Sequence, residues 1–189
     1  MTLKDEDIRE PLFDFLDETY GEIRILEEKT IGKSRADVVM VTRDALYGLE
    51  IKSDADTYER LSRQVKDYDK FFDYNCVVVG TSHAHHIEEH VPKTWGIITV
   101  ELDENEVFDF YVLRKPLRNG RRKMKYKLSL LWRNELEGIL KKAQMRRYTS
   151  KSKKFIAEKL MEKLTEEDLD PMISDELFER DYSRFEDEE

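Results

Sequence analysis

The 189 residues contain one cysteine, seven glycines and four prolines. The lone thiol, Cys76, excludes an internal disulfide. Its setting, Cys76-Val77-Val78-Val79, reads as a small buried residue in a reducing compartment. No glycine-rich fingerprint exists to cradle a nucleotide phosphate, and Gly80-Thr81-Ser82 does not supply one. No serine elbow is present. No apolar run approaches the ~18 residues needed to cross a bilayer. The opening residues, Met1 to Asp7, lack signal-peptide character. A cytoplasmic protein with no membrane partner is therefore expected, and no repeat or low-complexity tract interrupts it. All four histidines fall between His83 and His90. His86-Ile87-Glu88-Glu89-His90 matches the inverted zinc-protease motif in its letters. That motif needs a long helix, and Gly80 and Pro92 hem this segment in, so a short polar surface helix is expected.

Charge, by contrast, is abundant: 40% of residues are charged, against 39% apolar and 11% aromatic. That apolar share suffices for the core of one domain with an appendage. The net charge of −9 hides a steep asymmetry. Residues 1–113 carry 13 Lys/Arg against 26 Asp/Glu, residues 114–154 carry 16 against 2, and residues 155–189 carry 4 against 14. A basic segment of this density suits nucleic-acid phosphates, each neutralised phosphate releasing counterions. Arg118, Arg121, Arg122, Lys123 and Lys125 are its candidate contacts, and Tyr126, Trp132 and Tyr148 could stack on bases. Trp132, set among leucines, reads better as core. The plainer alternative is a solvated basic surface that pairs with the acidic tail.

Periodicity sets the architecture. Ile8, Leu12, Phe15 and Leu16 predict a helix over 5–18, with Pro11 near its first turn and Gly21 closing it. Strands are expected at 22–28, 36–41, 46–52, 76–80, 95–101 and 107–113, the last two joined by a polar turn at 103–106. A helix over 55–72 shows Leu61, Val65, Tyr68 and Phe72 on one stripe, and a short one is expected at 83–90. This alternation predicts an α/β fold, a mixed central sheet flanked by helices. Residues 114–127 are expected to be a basic loop with a turn at Asn119-Gly120. Helices follow from 128, over 150–164 and over 174–180. The parts are thus a core at 1–113, a basic loop and helical extension at 114–180, and an acidic tail at 181–189, expected to be disordered.

The chemistry concentrates in two of these strands. Asp37 lies inside the run Ala36-Asp37-Val38-Val39-Met40-Val41. Glu50 and Lys52 lie in Leu46-Tyr47-Gly48-Leu49-Glu50-Ile51-Lys52 and, two residues apart, project from the same face. Charges inside such runs are costly unless compensated. A divalent metal compensates two carboxylates and suits phosphodiester hydrolysis, being hard, oxygen-loving and able to activate water. Arg60, Gln64 and Tyr68 then share one flank of the following helix.

The string Asp37 … Glu50-Ile51-Lys52 followed by Gln64-Val65-Lys66-Asp67-Tyr68 resembles the PD-(D/E)XK nuclease superfamily. Asp37 matches the motif aspartate, Glu50-Ile51-Lys52 the E-x-K, and Gln64 … Tyr68 the Q-x-x-x-Y element of one branch. The longer pattern also takes in Asp7-Ile8-Arg9, Trp95-Gly96-Ile97-Ile98 and Leu130-Leu131-Trp132. It is similar to a sub-family of small bacterial and phage-borne proteins and spans roughly residues 5 to 140. Ala36 stands where the motif often has proline. The resemblance implies a restriction-endonuclease-like fold and Mg²⁺-dependent cleavage of DNA, with Mn²⁺ as a substitute. Asp37, Glu50 and the Ile51 carbonyl would hold the metal and Lys52 would assist the attacking water. Gln64 would reach the metal region or the substrate phosphate, supported by Tyr68. Arg60 would meet the scissile phosphate or pair with a site carboxylate, and Asp7 would be an extra ligand, with Glu27 and Glu28 as weaker candidates. The rival from another class is a catalytically silent module on the same scaffold that binds nucleic acid or protein.

Overall fold

The computed structural model describes residues 4–53, 56–84 and 86–181. The N-terminal helix α1 (Asp5–Tyr20) buries Ile8, Leu12 and Leu16, one residue per turn. Asp7 accepts the Lys4 backbone N–H at 3.0 Å, and three acids in the first turn complement the helix dipole. Gly21, at φ +78°, ends the helix by donating its N–H to the Asp17 carbonyl at 2.8 Å. Pro11 lies inside the helix, beyond the first turn where the sequence reading set it.

Six strands follow: β1 (Arg24–Ile31), β2 (Ser34–Val41), β3 (Leu46–Lys52), β4 (Tyr74–Gly80), β5 (Gly96–Leu102) and β6 (Phe108–Arg114). They form one sheet in sequence order. β1–β2, β2–β3 and β5–β6 are antiparallel, whereas β3–β4 and β4–β5 are parallel. The fold is therefore mixed α/β, as expected. Between β3 and β4 runs α2 (Leu61–Phe71); between β4 and β5 lie the short α3 (Thr81–Ala84) and a 3₁₀ turn at Ile87–Glu89. His86 and His90 flank that turn rather than sharing a helix face, and His90 stacks on Tyr58 with centroids 4.2 Å apart.

Four helices complete the described chain: α4 (Met124–Ser129), α5 (Arg133–Lys142), α6 (Lys153–Lys163) and α7 (Glu166–Phe178). Two of these correct the sequence reading. The expected loop at 114–127 contains the start of α4, whose Met124 and Leu128 are buried. The helix expected at 174–180 begins eight residues earlier, where Thr165 accepts the Asp168 N–H and Asp168 the Thr165 N–H. The tail expected to be disordered at 181–189 lies outside the described residues apart from Asp181. No helix among the described residues is long and apolar enough to cross a membrane.

Strand alternation sends alternate residues into two cores. Val38, Met40, Leu49, Ile51, Cys76, Val78, Ile98 and Val100 pack on α1. Val39, Val41, Leu46, Val77, Val79 and Ile97 face α2 and share one continuous core with α4–α7. Burial pushes the Cys76 thiol up to about 12, so it stays protonated and inert. Gly48 marks the closest approach of α2 to the sheet. A Cβ there would sit 2.2 Å from Phe72 and 2.7 Å from Tyr68, both fully buried. Gly48→Ala is expected to cost about 2–3 kcal/mol of overpacking strain. In a chain of this size that lowers the thermal midpoint by roughly 5–10 °C, which differential scanning calorimetry would register.

Candidate active site

Asp37 sits where β2 and β3 part. Their pairing stops at Val38–Leu49, and the Asp37 carboxylate takes over, accepting the Ile51 N–H at 2.9 Å. On the next strand Glu50 and Lys52 project toward α2, while Ile51 points the other way into the α1 core, as expected. Glu50 and Lys52 are 1% and 4% exposed, and the Lys52 Nζ donates to Glu50 Oε1 at 2.6 Å. Gln64 Nε2 donates to the same oxygen. Tyr68 donates its hydroxyl to Glu50 Oε2 at 2.8 Å and accepts the Asp37 N–H at 3.2 Å. One tyrosine on α2 thus ties both strands together at their point of divergence. Three donors fix Glu50, yet a carboxylate offers about four lone-pair sites, so acceptor capacity remains toward the cleft.

That cleft has a volume of about 500 Å³, and Asp37, Glu50, Ile51, Lys52, Arg60 and Gln64 all line it. Six of the eight residues assigned to catalysis, support or metal binding from sequence therefore converge; Tyr68 stands directly behind them. Asp7 does not join them. It caps α1, and Asp5, two residues earlier, lines the wall instead. Oxygens of Asp5, Glu28 and Asp37 lie within 4.8 Å of one another. Arg9 threads this acidic group from behind. It binds Asp5 at 2.7 Å, Glu27 at 3.2 Å and also Glu28, and approaches Asp37 to 4.0 Å. Glu28 takes part, although the sequence ranked it low; its spacing to Arg9 is long-range and carried no local signal. Lys33, Arg35 and Arg63 also line the cleft and went unrecognised. The turn Lys33-Ser34-Arg35 and the i, i+3 pair Arg60/Arg63 were the available clues.

The family model described as Bacteriophage P4 protein cII matches residues 1–187. The chain belongs to the bacteriophage P4 protein cII family. No curated protein matches it. Among solved structures, this cII-family chain is similar to SfsA of Pyrococcus furiosus in complex with Ca²⁺, at 14% identity and a TM-score of 0.34. The match covers 57% of this chain and 59% of that one, less than two thirds of its length. So remote a likeness carries no inference about chemistry.

In this cII-family chain part of the basic segment turns inward, while most of its cations stay exposed. Arg122 is a correction to the expected nucleic-acid contacts: it binds Asp73 at 3.1 Å, Asp170 at 2.6 Å and Glu166 at 3.0 Å, with 7% of its side chain exposed. Arg118 also pairs with Asp170, and Arg121 with Asp69, though both stay largely exposed. Lys123 and Lys125 are exposed. Among the described residues the countercharges come from α2, its junction with β4 and α7. Trp132 is half-buried at the start of α5, with the Arg180 guanidinium 4.1 Å above its ring.

Burial and the neighbouring Glu50 push the Asp37 carboxyl up to about 7. In the unfolded chain the group titrates near 3.9. Between those values the folded state holds a proton that the unfolded state has lost, so stability falls as pH rises from about 4 to about 7. Metal-free protein is expected to lose a few kcal/mol over that window, in the order-of-magnitude sense of three pH units at ~1.4 kcal/mol each. Urea denaturation at a series of pH values in EDTA would measure it. Asp37→Asn should flatten the curve; an unchanged slope would place the titration elsewhere.

Proposed function

We propose that this protein is a divalent-metal-dependent nuclease of the PD-(D/E)XK type, hydrolysing phosphodiester bonds of DNA. The observation that carries the reading is the trio Asp37, Glu50 and Lys52 in one cleft, Glu50 and Lys52 buried, with Gln64 and Tyr68 fixing Glu50. The donor set fits a hard cation: two carboxylates and the Ile51 carbonyl, with Asp37 held far above its usual range by burial and an adjacent carboxylate. A positive ion between these oxygens removes the cost that raises Asp37.

Bound there, Mg²⁺ or Mn²⁺ would supply Lewis-acid activation of water and neutralisation of charge on the phosphoryl group. The chain supplies the rest. Lys52 has three N–H donors and spends one on Glu50. The other two can hold the attacking water and a non-bridging phosphate oxygen, where negative charge grows in the transition state. Tyr68 and Gln64 keep Glu50 from rotating. Arg60 and Arg63, exposed on the cleft rim, would grip the flanking phosphates and set the register of the strand. The direct test is conversion of supercoiled plasmid to nicked and linear forms in Mg²⁺, Mn²⁺ or EDTA. Cutting that requires the metal supports the reading. Binding without cutting in any metal favours the silent module on the same scaffold.

A further inference from the structure

A second groove, about 300 Å³ in volume, lies on the side of α2 away from the sheet, lined by Lys66, Asp69, Lys70, Arg121 and Lys123. Arg60 and Arg63 at the start of α2 line the first cleft. Positions 63, 66 and 70 fall within about 60° of one another around a helix of 3.6 residues per turn. They form one cationic stripe that joins the two hollows. The loop that faces it is anchored, not free: the Lys123 N–H donates to the Lys70 carbonyl at 3.0 Å, and the Asn119 side chain donates to the Asp69 and Phe72 carbonyls. Among the described residues no ion pair engages Arg63, Lys66 or Lys123. Lys70 pairs with Asp67 and Arg121 with Asp69, and both of these carboxylates are buried. The surplus at the surface is positive, in a protein whose overall charge is −9.

We propose that this stripe and the 121–123 loop form a track that carries a phosphodiester strand away from the cleft, held by its backbone alone. The direction rests on the reading of the cleft as the place where the strand is cut. From Arg60 to Lys70 the helix rises about 15 Å, the axial length of roughly four phosphates of one duplex strand. The cations sit on a rigid helix, with no base-reading groups arranged among them, so the track binds without regard to sequence. It extends the substrate well beyond a dinucleotide.

The test is fluorescence anisotropy of the full chain in EDTA, where no metal-dependent cutting occurs. The probes are a labelled single-stranded DNA 20-mer, the matching duplex and an RNA of the same sequence. Lys66 and Lys123 stand on opposite walls and are exposed, so Lys66→Glu/Lys123→Glu should leave the fold intact; circular dichroism checks it, and Lys66→Gln/Lys123→Gln is a milder second version. The charge-reversed pair is expected to weaken binding at least 10-fold at 100 mM salt, and the neutral pair is expected to reduce the slope of log K against log salt by about 2. Lys154→Glu on α6 alters charge at an exposed position whose one ion pair is with Glu158 of the same helix and should change affinity less than 2-fold. Equal affinity for wild type and both pairs, an equal loss in Lys154→Glu, or no binding of any probe by wild type overturns the track. The three probes decide between DNA and RNA and between one strand and two. Track-dependent binding without metal-dependent cutting would leave the track standing and remove the nuclease. Cutting with unchanged kcat/KM in the pairs would do the reverse.

Discussion

In Mg²⁺, Lys52→Met and Glu50→Gln are each expected to lower the single-turnover rate of plasmid cleavage by about 10³-fold or more, some 4 kcal/mol of transition-state stabilisation. The substitutions keep volume and remove charge, which matters because both side chains are buried and bonded to each other at 2.6 Å. Alanine would add a cavity to the lost charge and confuse folding with catalysis. The two losses have different origins. Glu50→Gln removes an anionic ligand, so raising the metal concentration should recover part of the rate. Lys52→Met leaves both carboxylates in place, so metal affinity should persist or rise while the rate stays low. Asp37→Asn supplies a third signature. It should abolish cleavage and yet stabilise the metal-free protein above pH 7, because it deletes the charge that burial and Glu50 disfavour. Variants that fold, bind metal as described and still cut at the wild-type rate would falsify the assignment of these residues to the chemistry.

The reach of the sequence follows from the range of the forces involved. Asp37, Glu50, Lys52, Gln64 and Tyr68 were legible because each sits in a regular element. Period-2 alternation places Glu50 and Lys52 on one face, and the i, i+4 spacing places Gln64 above Tyr68. Asp5 and Asp7 show where local pattern stops. Both lie in the first turn of α1, yet Asp7 turns back to the Lys4 N–H while Asp5, held by Arg9, lines the cleft wall. Arg122 was misread for a similar reason. Charge density along a chain says nothing about which side chains fold inward. Arg122 and Lys127 do so because Asp73 and Asp170, 49 and 48 residues from Arg122 in sequence, await them in a shared core. The cations left facing outward beside the cleft come instead from the β1–β2 turn and from α2. The early start of α7 is set by the capping box at Thr165, five residues of helix before the internal Pro171.

Lys127 itself carries the largest expected effect on stability. It is fully buried, with its Nζ 2.7 Å from Asp73 Oδ2 and 2.8 Å from Asp170 Oδ1. Asp73 Oδ2 also accepts the Leu46 N–H at 2.8 Å, so one ammonium joins the start of β3, α4 and α7. Lys127→Met keeps the aliphatic stem and strands two buried carboxylates with Arg122 as their main remaining counterion. Breaking a buried ion pair from one side costs about 3–5 kcal/mol, a third or more of the stability of a typical domain. The thermal midpoint should fall by roughly 10 °C. Asp170→Asn alone should cost less, since Arg122 and Lys127 both keep Asp73. The double variant should fall short of the sum of the two by about 1–3 kcal/mol, because each removes the other's partner. None of these three residues lines the cleft, so at temperatures where Lys127→Met remains folded its cleavage rate should match wild type. A loss of only about 1 kcal/mol, the size expected of a solvated surface pair, would mean that water reaches this network. The C-terminal helices would then be held to the sheet mainly by their apolar contacts.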